Sequence, residues 1–226
     1  MTTATDHLRQ MLSATHAALG VLGGKTAGTY TAHLWSASLN YYRDGDLSAF
    51  LDTFITEIEA QLTRAFNQGA RDVGVDPSEF TAEDLAHLQS WIDHEYNFVL
   101  NLAQDIQDLR TTNASLEEFR TAIRWRIDLW GNRYNEALNE ARVYFGKRTR
   151  LQWRVGGTKE HCPQCSALNG IVAFATEWDQ SRVRPQHPVN WALTCEGWRC
   201  QCGLYPTTQR RSPRALNSIL GIVLAR

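Results

Sequence analysis

Through the first 147 residues apolar positions recur every three or four residues, and after residue 148 they alternate in short runs. The first pattern is that of amphipathic helices and the second that of strands. Residues 6–22 are predicted to form a helix ended by Gly23 and Gly24. Residues 30–43 form a short aromatic helix, closed by Asp44, Gly45 and Asp46. Leu47, Leu51, Phe54, Ile58, Leu62 and Phe66 make the stripe of a third, ended at Gly74 and Pro77. Thr81, followed by Glu83 and Asp84, reads as the N-cap of a fourth. Its seam, Leu85, Leu88, Ile92, Val99, Leu102, Ile106 and Leu109, is broken only at Glu95. The break is read as an edge position or a bond to a neighbouring arginine.

Ser115 with Glu118 three residues on is a capping box. It opens a fifth helix that carries Leu116, Phe119, Ile123, Ile127, Trp130, Tyr134, Ala137 and Ala141 on one side. Two helices of roughly thirty residues joined by a short polar turn predict an antiparallel hairpin ~45 Å long. Arg120, Arg124, Arg126 and Arg133 alternate with Glu117, Glu118, Asp128 and Glu136, the pattern of a solvated helix face. His33, His87 and His94 have no paired carboxylates in sequence and are read as surface or satisfied core groups.

Beyond residue 148, Leu151 to Val155 reads as a strand ended by Gly156 and Gly157. Ile171 to Ala175 is a second after the Asn169–Gly170 turn, and Gln201 to Tyr205 a third. A basic stretch with Arg210, Arg211 and Arg214 precedes an apolar segment, Leu216 to Leu224, expected to be a short helix docking on the body or on a partner. The expectation is an α+β protein in three parts. These are a mostly helical region, 1–147, a small β-rich zinc-ribbon-like module, 148–208, and a basic C-terminal tail with a short apolar helix, 209–226.

A formal net charge of −1 argues against gripping a phosphate backbone as the main task. The first residues lack a basic stretch followed by an apolar run, and no window nears ~18 uninterrupted apolar residues, so neither a signal peptide nor a membrane span is expected. A reducing cytoplasm is the compartment this favours.

All five cysteines fall between Cys162 and Cys202. Cys162-Pro-Gln-Cys165 has the form of a zinc knuckle, in which two thiolates on a tight turn converge on one ion. Cys195, Cys200 and Cys202 follow about thirty residues on, with His161 and His187 in the same stretch. A structural zinc ion held by Cys162, Cys165, Cys200 and Cys202 is the expectation, with Cys195 and His187 as substitutes. On a strand, Cys200 and Cys202 point to the same side. A redox pair, disulfides and unliganded packing are the competing readings; the odd number of clustered cysteines and the lack of a βαβ pattern favour metal.

No catalytic residue is expected. The chain has no G-x-S-x-G, H-E-x-x-H, P-loop or dinucleotide fingerprint. The deaminase signature fails because His161, not proline, precedes Cys162 and no His-x-Glu lies upstream. A Cys162–His161 nucleophile pair is disfavoured because sequence neighbours rarely face each other.

Several elements occur in a telling order: Leu151-Gln-Trp153-Arg154, then Cys162-Pro-Gln-Cys165-Ser-Ala-Leu168-Asn-Gly170, then Pro185-Gln-His187-Pro188, then Arg199-Cys200-Gln-Cys202-Gly-Leu-Tyr-Pro206. In this order they resemble the phage head morphogenesis family, the minor head proteins related to Mu protein F. The resemblance covers residues 116–206, under half of the chain. Val189 to Trp198 intervene where many members run from His-Pro almost directly into the cysteine pair, and this insertion carries Cys195. The resemblance implies a structural virion protein present in few copies, inside the head or at the portal vertex, and in host cytoplasm during assembly. Its implied partners are the portal protein and the major capsid or scaffolding protein, with packaged DNA within reach; it implies no enzymatic activity, no small-molecule substrate and no membrane. From another class, a zinc-ribbon regulator that binds nucleic acid is motivated by Arg148, Arg150, Arg154, Arg199, Arg210, Arg211 and Arg214 around the knuckle.

Overall fold

A computed structural model describes residues 27–157, 160–187, 190–197 and 200–225. The helix expected over residues 6–22 lies outside the described residues. The next four appear nearly as predicted: α1 (Ala27–Asp44), α2 (Leu47–Asp72), α3 (Ala82–Thr111) and α4 (Leu116–Gly146). A 3-10 turn over Pro77–Glu79 links α2 to α3. Local chemistry sets the boundaries. Asp46 accepts from Ala49 N at the start of α2, and Thr81 with Asp84 and Ser115 with Glu118 close reciprocal capping boxes. Asn113, at φ 51, turns the chain between α3 and α4.

The hairpin is antiparallel but splayed. α4 packs most extensively on α2, and α3 touches α2 far more than it touches α4. Side-chain size accounts for this. On the α2–α4 seam, Gly69 lies against Ala141 and the Leu138 carbonyl, with Ala65 and Ala137 buried in the same core, and these small residues let the two backbones approach. The facing sides of α3 and α4 instead carry Trp91, Phe98, Trp125 and Trp130, which hold the helices apart around a cavity of about 740 Å³. A Cβ added to Gly69 would stand 2.6 Å from both Ala141 Cβ and Leu138 O. Gly69→Ala is therefore expected to cost about 1–3 kcal/mol by overpacking, although alanine is the better helix former. Gly221→Ala, facing open space, should be neutral or slightly stabilising. Urea titration of both variants checks the opposite signs.

The break in the α3 seam is filled by an ionic network. Glu95, 3% exposed, accepts from Trp130 Nε1 at 3.0 Å and pairs with Arg133 Nε at 3.1 Å. Arg133 also binds Glu136, whose other oxygen meets His187 Nδ1 at 2.6 Å. Arg133 is thus no part of a solvated face, unlike exposed Arg120 and Arg124. His33 bonds Glu57, and the ring of His87 stacks on Tyr144 with centroids 4.3 Å apart.

Past α4 the chain forms a three-stranded antiparallel sheet in the order β2-β1-β3: β1 is Arg150–Arg154, β2 Val172–Phe174 and β3 Gly203–Pro206. Leu151 sits opposite Ala173 on one side and Pro206 on the other. Three short helices surround the sheet: α5 (Pro163–Leu168), α6 (Ala175–Ser181) and α7 (Ala215–Leu224). A second core gathers Leu151, Trp153, Leu168, Trp178, Leu204 and, from α7, Ala215, Ile219 and Val223. The apolar C-terminal segment thus docks on the cysteine module itself. α6 replaces the end of the second predicted strand, because Glu177 turns back to accept from Phe174 N at 3.0 Å and starts a helix there.

The module is bolted to the helical body by buried polar contacts. Arg142 on α4 donates to Asp72 at 2.8 Å and to Leu204 O at 2.7 Å, while Asn139 accepts from Leu204 N. Arg184 bridges to Glu140 at 2.9 Å and to Asp179 at 2.8 Å. The bonds that cross between body and module, Arg142 to Leu204 O, Leu204 N to Asn139 and Arg184 to Glu140, are directional and fix orientation more than they add stability.

Candidate metal centre

Two short turns bring the cysteines together. Pro163 occupies the first position of α5, where its fixed φ suits a helix start, and Cys162 stands at the N-cap. Its sulfur accepts from Cys165 N at 3.3 Å. On the other limb Cys202 N donates to Cys200 Sγ at 3.4 Å. Paired N–H···S bonds of this kind steady thiolates for a metal. Cys200 and Cys202 lie before β3 rather than on it, so they converge through a turn and not through strand alternation.

The sulfurs form two groups that share Cys165. Cys162, Cys165 and Cys195 have their sulfurs within 4.8 Å of one another, as do Cys165, Cys200 and Cys202. The second group is wholly buried, whereas Cys162 and Cys195 are half-buried. Cys165, 1% exposed, is thus the hub. Cys195 reaches it at 3.8 Å, which brings the cysteine of the insertion into the centre of the cluster. His187 stands apart, tied to Glu136 in the cavity between α3 and α4, and neither histidine of the module joins the two sulfur groups among the described residues.

Thiol protons are shared among the sulfurs. Hydrogen bonding to Cys195, Cys200 and Cys202, with burial, pushes the Cys165 thiol far up. Bonds from Cys165 draw Cys200 down, and those from Cys165 and Cys200 bring Cys202 to about 4. A soft or borderline cation would replace these S–H···S bridges with its own charge and so displace the remaining thiol protons, that of Cys165 included. Five thiols with no carboxylate or imidazole in the group suit zinc, with Zn–S distances of ~2.3 Å in a tetrahedron, better than a hard cation. Four thiolates would close the coordination shell and leave no position for water or substrate.

The turn Asn169–Gly170, with Gly170 at φ 85, returns the chain from α5 to β2 and holds the knuckle over the sheet. Gly197 makes the corresponding turn before Cys200: at φ 80 it packs so close to the His187 carbonyl that any side chain would collide. No helix among the described residues is long and apolar enough to cross a membrane. Comparison with known proteins finds no family model, no curated protein and no solved structure that matches this chain.

Proposed function

We propose that the chain is a structural minor head protein of a tailed phage, with its cysteine module stapled by one zinc ion in a zinc-ribbon-like arrangement. One observation carries the reading. The elements whose order resembles the head morphogenesis family, Trp153, Cys162, Cys165, Leu168, Gly170, Cys200 and Cys202, lie in one small module anchored on the long helix α4. A closed thiolate site serves shape and not turnover, which suits an assembly protein. In this reading the helical body meets the portal protein and the major capsid or scaffolding protein, and the zinc fixes the shape of the module that is anchored on α4. The protein acts without catalysis, inside the head or at the portal vertex, after assembly in host cytoplasm.

The regulator reading gains less from the molecule. Arg211 is engaged by Glu177, and Arg154 is bonded to Gln152 and lies over the Tyr205 ring, so two of its seven arginines serve the module itself.

Co-expression with the portal, capsid and scaffolding proteins of the encoding genome, followed by particle purification and metal analysis, tests the proposal. The expected result is a chain that sediments with particles and carries stoichiometric zinc. A metal-free chain that stays at the top of the gradient overturns it.

A further inference from the structure

The cavity between α3 and α4 is independent of the cysteine cluster, and its chemistry points to a ligand of its own. Its volume, about 740 Å³, lies within the range of small-molecule sites. Two walls are aromatic and reach solvent: Trp125 is 53% exposed and Phe98 37% exposed. Trp91 and the indole of Trp130 line the cavity too.

The polar floor is unbalanced. Three carboxylates face the cavity, Glu95, Glu136 and Asp105, against two guanidinium groups, Arg133 and Arg126. Arg126 is paired with Asp105 at one end. That leaves Arg133 as the one guanidinium between Glu95 and Glu136, each 3% exposed. His187 contacts the outer oxygen of Glu136 from the rim, where it is half-exposed. Arg133 thus carries one positive charge against two buried carboxylates among aromatic faces, and His187 adds a second only when protonated. Buried anions require a partner, and aromatic faces attract cations through the ring quadrupole.

We propose that this cavity binds an aliphatic ammonium group, with its alkyl chain against Trp125 and Phe98 and its charge directed at the Glu95–Glu136 floor. A free amine and the lysine side chain of a partner segment offer the same chemistry. The proposed role of the cavity is to bind this group and not to transform it.

Isothermal titration of the full chain with hexylamine and with hexanol tests the idea, alongside a leucine-flanked lysine peptide and its norleucine counterpart. The expected result is saturable one-to-one binding of an amine-bearing probe, about tenfold tighter than its uncharged match. Tighter binding of hexylamine identifies a free amine as the source; tighter binding of the peptide identifies a protein segment. Trp125→Ala, at an exposed position, should weaken binding about fivefold or more without changing Tm, and Glu95→Gln, which keeps the Trp130 bond, should weaken binding to a similar extent. The proposal is overturned if hexanol or the norleucine peptide binds as tightly as its charged match. It is equally overturned if Trp125→Ala leaves affinity unchanged, or if no probe saturates at millimolar concentrations.

Discussion

Cys165→Ser should yield protein that retains its helical content, binds no stoichiometric zinc, and has lost the fixed packing of residues 148–225. The reason is position. Cys165 is the one sulfur common to both groups, so its loss leaves Cys162 with Cys195 on one side and Cys200 with Cys202 on the other. Metal binding by such sites is folding free energy, on the order of 10 kcal/mol in small zinc domains, so its loss should exceed any single packing substitution here. The α1–α4 core has its own apolar cluster, joined to the module through Val73, Val143 and the Glu136, Asn139, Arg142 and Glu140 contacts, and should survive. Metal analysis, near-ultraviolet circular dichroism and limited proteolysis read the three parts separately. A variant that keeps one zinc and a protease-resistant module refutes the hub assignment. Cys162→Ser and Cys195→Ser resolve the fourth ligand: the half-buried cysteine whose loss removes zinc is the ligand, and the other is a spare thiol within reach of it.

How much of this was legible beforehand follows from the range of the forces involved. The helix starts at Thr81 and Ser115 were legible because a capping box is complete within four residues. The sheet strands and the short helix over Leu216 to Leu224 followed from local alternation and apolarity, but apolarity alone leaves body or partner open, so the docking of that helix on the cysteine module did not. Glu95 was legible as an edge position or a partner of a neighbouring arginine; the structure gives a buried position and Arg133 as the partner. The splay of α3 from α4 was hidden, since it depends on which face of α2 carries Ala65 and Gly69, a matter of tertiary contact. Spacing alone favoured Cys200 and Cys202 over Cys195; the long-range bonds of Thr194 N and Oγ1 to Gln164 bring Cys195 to 3.8 Å from Cys165. His187 was a ligand candidate by sequence neighbourhood, yet Glu136, fifty-one residues earlier, takes its Nδ1.

Arg133→Met should be the most damaging substitution in the helical body, at about 3–5 kcal/mol near pH 8, because it strands two buried carboxylates. Glu95 and Glu136 then face one another without the guanidinium, and methionine fills the stem volume but supplies no charge. Burial already holds Glu95 above its ordinary value, at about 6, despite Arg133. The sign of the pH effect follows. In wild type the folded state takes up the Glu95 proton near 6 and the unfolded state near 4.5, so between these values the folded state binds more protons. Stability accordingly falls as pH rises through that window, by about 2 kcal/mol. Without Arg133 the folded-state value climbs further, so the deficit of the variant should be full at pH 8 and shrink as pH falls toward 5. Arg133→Lys keeps the charge but not the fork and should cost less. Glu95→Gln, which retains an acceptor for Trp130, should flatten the wild-type slope at little cost. Urea unfolding of these variants at pH 5 and pH 8 measures all of this. A deficit of Arg133→Met that is independent of pH would show that the arginine acts through packing of its stem and not through charge.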